Sequence, residues 1–183
     1  MLIAFSGAQS TGKSTLLREC KKLNQFKDYT FVTEVTRRIK RDNNAEINNT
    51  ADNYDYTQSL IMADHVKNSI LTNAILDRCF IDGFIYTAYL HAKGKVSNAV
   101  FENARSVYYD GFANYDVVFY TDSGIPLVND GVRSIDMKFR NDIIGMFEEE
   151  ISEMNMFAGI SIVRVKGTVE QRIDTIKNWL QKN

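Results

Sequence analysis

Hydrophobic positions along the chain fall into short continuous runs separated by longer segments with helical spacing. The first run, residues 1–6 (MLIAFS), ends at Gly7, and apolar residues then recur every three or four positions through 13–22. Runs of about 4 to 8 apolar residues are typical of strands, and the longer periodic segments are typical of helices. The chain therefore begins with a predicted strand, a glycine loop and a helix. Four further runs predict strands at 29–33, 73–77, 116–120 and 159–165.

Segments with helical spacing lie between and after these strands. They predict helices at 54–71, 80–91, 98–112, 136–154 and 169–180. The run at 73–77 (NAILD) is apolar on both faces, as expected of a parallel sheet covered by helices. Strands that alternate with helices predict an α/β fold with right-handed crossovers. We therefore predict three layers, with helices on both faces of a five-stranded parallel sheet and ligands at the carboxyl ends of its strands.

Length and charge narrow the class of protein. The 183 residues suit one domain, which we expect to cover 1–183. The 22 basic and 23 acidic residues give a net charge of −1, so no overall field favours nucleic acid or an anionic membrane as a partner. No apolar run reaches the roughly 18 residues of a membrane span, and the two cysteines with no apparent secretion signal favour a cytoplasmic location. A small-molecule partner is the expectation.

A glycine-rich loop follows the first predicted strand. Residues 7–14 (GAQSTGKS) match the pattern GxxxxGK[ST] and lie between a predicted strand and a predicted helix. Glycines allow positive φ angles, so backbone N–H groups can point at phosphate oxygens, and the helix start adds its positive dipole end. Lys13 is expected to reach the β- and γ-phosphates, and Ser14 to hold Mg²⁺. The candidate nucleotide-binding residues are Gly7, Ala8, Gln9, Ser10, Thr11, Gly12, Lys13, Ser14 and Thr15.

A charged pair, Asp77 and Arg78, ends the third predicted strand. With Asp82 and Tyr86 five and nine positions after Asp77, it resembles the DR motif of thymidylate kinases and related kinases, whose matching positions face the substrate. Asp77 is a candidate to orient Mg²⁺ through water or to accept the proton of an acceptor hydroxyl; a helix cap is the structural alternative. Arg78 is a candidate to bind an acceptor phosphate, and an ion pair with Asp77 or Asp82 is its alternative.

Two other segments carry candidate site residues. In TEVTRR, Glu34 and Arg37 are expected to bind the acceptor; Glu34 is a rival base or a ligand of substrate hydroxyls, and an ion pair with Arg37 or Arg38 is its structural alternative. In NDGVRS, Arg133 follows a glycine, and with Arg140 seven positions later it resembles an arginine-bearing lid over about 122–142. Both arginines are candidate catalytic residues that stabilise transferred charge, although a solvated helix face also suits Arg140.

Taken together, these motifs resemble the ribosylnicotinamide kinase domain of the NadR proteins and its P-loop kinase relatives. The resemblance rests on GAQSTGKST, TEVTRR, the acid that ends the third strand, and VVFYTD followed by NDGVRS. It implies a P-loop NTPase fold, ATP and Mg²⁺ as cofactors, and transfer of the γ-phosphate to a nucleoside, with nicotinamide riboside favoured. Asp77 and Arg78 are closer to the thymidylate kinase pattern than to that of NadR.

Alternative functions remain open on the sequence. Asp77 and Arg78 favour a deoxynucleoside monophosphate kinase, whereas a basic stretch suggests an ATPase coupled to nucleic acid or another partner. That stretch contains Arg37, Arg38, Lys40 and Arg41. No NKxD or LSGGQ-like motif is present, which disfavours switch GTPases and transporter ATPases. Cys79 is expected to be a packing residue, and the acidic run 148–150 a solvated helix face.

Overall fold

The computed structural model describes residues 1–33, 35–43, 53–122, 137–157 and 161–183, without the side chains of 155–157. Strands and helices alternate through this part of the chain. The strands are β1 (Leu2–Ser6), β2 (Thr30–Val32), β3 (Ala74–Asp77), β4 (Val117–Thr121) and β5 (Ser161–Val165). The helices are α1 (Lys13–Cys20), α2 (Val35–Asn43), α3 (Asp55–Asn68), α4 (Phe80–Ala92), α5 (Asn98–Gly111), α6 (Met137–Phe157) and α7 (Val169–Lys182). Short 3₁₀ turns cover Asn24–Phe26 and Phe112–Asn114.

The five strands form one parallel sheet in the order β2-β3-β1-β4-β5. β1 lies at its centre, and all five of its residues are buried. In the register, Phe5 lies beside Asp77 of β3 on one side and beside Phe119 of β4 on the other. The predicted fold class and all five predicted strands are confirmed.

Helices cover both faces of the sheet and enclose two cores. One core contains residues of α3, α4, α5 and α6 and is rich in aromatic side chains such as Phe80, Phe84 and Tyr108. The other core lies on the opposite face of the sheet, under α1 and α7, and contains Leu16, Leu17 and Ile176. The helices that follow β1 and β3 are therefore on opposite faces of adjacent strands. Such a switch point opens a crevice at the carboxyl ends of the strands, and this crevice positions the site.

Helix α2 was missed by the sequence analysis. Its apolar residues Val35 and Ile39 are four positions apart and pack against Val32, Leu60 and Ile61. Two apolar positions in a nine-residue helix give too little periodicity to stand out from a basic, polar segment. The helix forms because α3 covers its narrow apolar side.

The lid expected over 122–142 lies mostly outside the described residues. The described part comprises Asp122, directly after β4, and residues 137–142, which form the first turns of α6. Arg133 falls in the segment that is not described, and so does Glu34. The single-domain assignment and the lid stay predictions. No helix within the described ranges is long and apolar enough to cross a membrane.

Candidate active site

The loop between β1 and α1 has the backbone geometry of an anion-binding loop. φ is 133° at Gly7, 59° at Ser10 and 87° at Gly12, so three of six residues adopt left-handed conformations. Alternation of this kind turns successive amide groups toward one concave side. The amino end of α1 follows at Lys13, where its dipole favours negative charge. Gly7 to Gly12 thus form a loop suited to phosphate, as the sequence predicts.

Lys13 lies inside this loop. Its ammonium donates to the carbonyl oxygens of Gly7 at 2.6 Å and Ala8 at 2.7 Å, and to Thr11 Oγ1 at 3.3 Å. Only 5% of the residue is exposed. Ser14 at the start of α1 is exposed and Thr15 is half-buried, which leaves the Ser14 hydroxyl accessible to a ligand.

The end of β4 fixes the start of the loop. A Cβ atom at Gly7 would lie 2.6 Å from Thr121 Oγ1 and 2.8 Å from the Thr121 carbonyl oxygen, so only glycine fits there. The Thr121 hydroxyl donates to the Ser6 carbonyl at 2.9 Å and lies 2.6 Å from Thr11 Oγ1. This contact holds β1, the loop and β4 together at one edge of the sheet.

Two arginines from distant helices also contact the loop. Arg140 of α6 donates from Nε to the Gln9 carbonyl at 3.4 Å, and Arg172 of α7 donates from Nη1 to the Thr11 carbonyl at 2.7 Å. They are 5% and 2% exposed, so the solvated-face alternative for Arg140 is wrong. Arg172 was not predicted as a site residue from the sequence. Its signal is an arginine on the apolar side of α7, beside Ile173 and one turn from Ile176.

The side of the crevice where an acceptor is expected starts at the end of β3. Asp77 is the half-buried last residue of that strand, next to β1 in the sheet. Arg78 follows with a φ of 81°, a conformation rare for a residue with a side chain, and its amide donates to the Phe5 carbonyl at 2.9 Å. Its guanidinium donates to Asp82 Oδ1 at 3.0 Å and lies 5.1 Å from the centre of the Tyr86 ring.

Asp82 is 1% exposed and engaged on both oxygens. Oδ1 accepts from Arg78, and Oδ2 accepts from the Cys79 amide at 3.1 Å, which caps the start of α4. This places Asp82 behind Arg78 rather than at an open surface, and its predicted substrate contact stays a prediction. Burial, with the negative charge of Asp82, raises the pKa of the Cys79 thiol well above its ordinary value, which agrees with a packing role for Cys79.

Tyr86 joins the two sides of the crevice. Its hydroxyl donates to Gln9 Oε1 at 3.0 Å, and its ring packs edge-on against Phe139 at the start of α6. Gln9 is 4% exposed, and its Nε2 has no hydrogen-bond partner among the residues that the structure describes. Since the Gln9 carbonyl also accepts from Arg140, Gln9 contacts both α4 and α6.

The remaining predictions have mixed outcomes. Arg37 is exposed on α2, while the structure gives no position for Glu34 or Arg133. The acidic run is not a fully solvated face: Glu148 accepts from Arg164 at 2.9 Å and from Tyr120 at 3.0 Å, and Glu150 is half-buried. Burial raises the pKa of Glu150, so only Glu149 matches the expectation.

Comparison with solved structures identifies similar folds. A NadR protein in complex with NR has a TM-score of 0.70 and 19% identity; the match covers 97% of this chain and 51% of that one. Deoxyadenosine kinase from M. mycoides, with dCMP and dCDP, has a TM-score of 0.67 and 19% identity, with 100% and 99% covered. YorR of Bacillus subtilis, in complex with phosphorylated GDP, has a TM-score of 0.59 and 16% identity, with 99% and 96% covered.

At these identities the comparisons establish the fold. They confirm the predicted resemblance to the NadR kinase domain and its P-loop kinase relatives, although this chain spans about half of the NadR chain. No curated protein sequence matches it. A sequence profile described as an AAA domain matches residues 2–172, a span that includes the phosphate loop and reaches Arg172. The chain therefore belongs to the AAA domain family.

Proposed function

We propose that the protein is a P-loop kinase that transfers the γ-phosphate of ATP, with Mg²⁺, to a hydroxyl group of a nucleoside. The donor half of the proposal rests on the loop, where three buried cations contact backbone carbonyls. Phosphoryl transfer requires positioning and charge neutralisation more than covalent chemistry, and this arrangement supplies both.

In the proposed reaction, the acceptor hydroxyl oxygen forms a bond to the γ-phosphorus. The bond between that phosphorus and the β–γ bridging oxygen breaks, which releases ADP. The hydroxyl proton passes to a carboxylate, for which Asp77 and Glu34 are the candidates. Asp77 has a described position, at the strand end that borders the loop. Lys13 and Arg140 approach the loop from two directions and are proposed to stabilise the charge of the transferred group.

The residues present fit a Mg²⁺ ion that arrives with the triphosphate. Such an ion keeps several waters and needs only one or two protein oxygens. The accessible Ser14 hydroxyl and the Asp77 carboxylate, directly or through water, are those proposed ligands. When bound, Mg²⁺ neutralises charge on the β- and γ-phosphates.

The class of acceptor is inferred from Arg78. Its guanidinium is paired with the buried Asp82 and covers the Tyr86 ring, so its positive charge is already compensated inside the protein. A monophosphate acceptor requires a cation able to bind its phosphate, whereas a nucleoside requires hydrogen-bonding groups. This pairing is the observation that favours a nucleoside over a nucleotide.

Two nucleoside classes fit the proposal. Nicotinamide riboside is favoured by the sequence resemblance, and a NadR structure holds NR. Deoxynucleosides are equally supported, because deoxyadenosine kinase from M. mycoides has the same fold at the same identity and matches this chain over its full length. A deoxynucleoside monophosphate kinase remains the second candidate, since Arg78 lies where the thymidylate kinase motif places its arginine.

The nucleic-acid ATPase alternative has less support. Arg38 in the basic stretch pairs with Asp64 at 2.6 Å, and Arg41 pairs with Asp42 at 2.7 Å. These pairs compensate part of the charge that phosphate backbone contacts would need.

ADP release with Mg-ATP and an acceptor panel tests the function. The panel contains nicotinamide riboside, deoxyadenosine, deoxycytidine, dTMP and no acceptor, with mass spectrometry of the products. We expect turnover with at least one nucleoside and little with dTMP. Turnover with dTMP alone would support the nucleotide kinase, and acceptor-independent turnover stimulated by DNA or RNA would contradict kinase activity altogether.

A further inference from the structure

The loop's Thr11 carbonyl is held by Arg172, a residue that lies far from the loop in the sequence. The hydrogen bond from Nη1 spans 161 positions and measures 2.7 Å, while Nε donates to the Gly167 carbonyl at 2.9 Å. One guanidinium thus ties the turn before α7 to the loop after β1. We infer that Arg172 is a positioning residue for nucleotide phosphate, which acts by aiming the Gly12 amide into the loop.

Peptide geometry connects the two groups. Thr11 C=O and Gly12 N–H belong to one planar trans peptide unit, so they point in opposite directions. A carbonyl turned outward to Arg172 therefore directs the Gly12 N–H toward the concave side of the loop. Within the described ranges the Gly12 amide donates no hydrogen bond to the protein, so it is available to a ligand oxygen.

The other cations of the site also donate to loop carbonyls, Lys13 from inside the loop. Lys13 holds the carbonyls of Gly7 and Ala8, and Arg140 holds that of Gln9. An inward-facing set of amides requires an outward-facing set of carbonyls, and buried carbonyls require donors. Within the GxxxxGK[ST] pattern, Lys13 is a donor to carbonyls in the first part of the loop only. Arg172 contributes the donor for the Thr11 carbonyl, at the end next to α1.

Charge supports the same role. Arg172 is 2% exposed and makes no ion pair within the described part of the chain, and the negative charge of Asp122 acts on it only from beyond ion-pair distance. A buried cation bonded only to carbonyls favours an anion nearby. This inference rests on nucleotide binding by the loop, which belongs to the proposed function, but it does not depend on which acceptor is used.

Binding measurements with matched variants test the inference. Arg172→Met removes both hydrogen bonds, Arg172→Lys keeps the charge but loses the two-pronged geometry, and Lys177→Met removes a different α7 cation as the control. Dissociation constants are measured for ATP, inorganic triphosphate and adenosine without any acceptor. Circular dichroism and thermal melting identify which variants are folded.

We expect Arg172→Met to raise the dissociation constants of ATP and triphosphate by about 10- to 100-fold, which is the effect of losing a hydrogen bond to a charged group. The dissociation constants of Arg172→Lys should lie between those of Arg172→Met and the wild type. The affinity for adenosine should change less than about twofold, because adenosine has no phosphate. A folded Arg172→Met protein with normal ATP affinity would contradict the inference, as would equal losses for ATP and adenosine.

A second measurement covers the case in which Arg172→Met does not fold. In the wild type and in Arg172→Lys, the amide resonance of Gly12 is followed by NMR during titration with triphosphate. We expect a large shift in the wild type and a reduced one in the variant; equal shifts would overturn the inference. If the wild type binds ATP but phosphorylates no acceptor, the kinase proposal fails while the role of Arg172 stands.

Discussion

The two sides of the crevice are built in opposite ways. On the donor side, the cations Lys13, Arg140 and Arg172 contact backbone carbonyls of the loop. On the acceptor side, the cation Arg78 is bound to the carboxylate of Asp82. The donor side thus concentrates positive charge, and the acceptor side compensates it internally. This difference supports the proposed function, in which phosphate binds on one side of the crevice and a hydroxylated group without phosphate binds on the other.

The sides meet at a side-chain contact between Tyr86 and Gln9. Tyr86 also packs beneath Arg78, so one tyrosine contacts the acceptor-side pair and the phosphate loop together. We expect variants on the donor side to affect ATP and variants on the acceptor side to affect the second substrate, with Tyr86 intermediate.

The largest effect is expected for Lys13→Met. Loss of the cation that is proposed to stabilise the transferred phosphate should lower kcat/KM by about 1000-fold, since removal of one transition-state donor already costs about 100- to 1000-fold. Steady-state kinetics check this, with Lys22→Met as the matched control because Lys22 pairs with the nearby Glu19 at an exposed position. A Lys13→Met protein with more than a tenth of wild-type activity would contradict the donor-side assignment.

Asp77→Asn should show the next largest effect. If Asp77 accepts the hydroxyl proton, kcat should fall by about 100-fold or more, because general-base catalysis contributes about 100- to 10,000-fold. ATP affinity should change little if the metal contact is through water. The control is Asp174→Asn, an exposed carboxylate on α7. Unchanged kcat in Asp77→Asn would leave Glu34 as the base.

The third prediction concerns pH and the support of the acceptor side. His65 of α3 lies beneath α4, where a Cβ at Gly83 would be 2.9 Å from its ring. Burial lowers the pKa of His65 from 6.5 to about 4; the carboxylates of Asp82 and Asp64 oppose this shift, and Arg78 adds to it. As pH falls, His65 becomes protonated in the unfolded chain before it does in the folded protein. The stability that buried, neutral His65 contributes is therefore present above about pH 6.5 and is lost as pH falls toward about 4.

Between pH 7 and pH 5, His65 should therefore reduce the free energy of unfolding by about 2 kcal/mol. Denaturant unfolding at both pH values measures this loss in the wild type and in His65→Gln. The variant should lose about 2 kcal/mol less than the wild type over this interval, and His91→Gln, at a half-buried position, is the control. Equal losses in His65→Gln and the wild type would show that His65 does not contribute.

The smallest effect is expected for Tyr86→Phe. It removes the hydrogen bond to Gln9 but keeps the ring beneath Arg78, so a loss of about 1 kcal/mol, or about fivefold, is expected. The loss should appear in the KM of the acceptor more than in that of ATP. Tyr109→Phe, at a half-exposed ring, is the control. A change in the KM of ATP alone would place Tyr86 on the donor side.

The fold was largely predictable because its signals are local. Five short apolar runs gave five strands, and the alternation with helices gave a parallel sheet. Helix α2 was not predicted because only two of its residues, Val35 and Ile39, are apolar, and their burial depends on contact with α3. The acidic run was misjudged for a similar reason, since Glu148 meets Arg164 of β5 only after the sheet has formed.

The candidate site was predictable in part. The phosphate loop is contiguous in sequence, so its residues were identified together with their geometry. The burial of Arg140 and the contact between Arg172 and the loop could not be predicted. Each arginine lies on a helix that follows a strand other than β1, so its contact with the loop depends on how that helix packs. The engagement of Asp82 by Arg78 was one of two alternatives, and only the folded backbone, with φ of 81° at Arg78, brings those side chains together.

The sequence by itself determined the order of strands and helices and the loop that favours phosphate. These depend on the spacing of neighbouring residues, which one segment of chain contains in full. The tertiary structure decided which distant groups meet at the loop. The carboxyl ends of β1, β3 and β4 lie side by side in the sheet, and this adjacency brings Gln9 to Tyr86 and Gly7 to Thr121. Contacts that span tens of residues follow from strand order and helix packing, which no local pattern records.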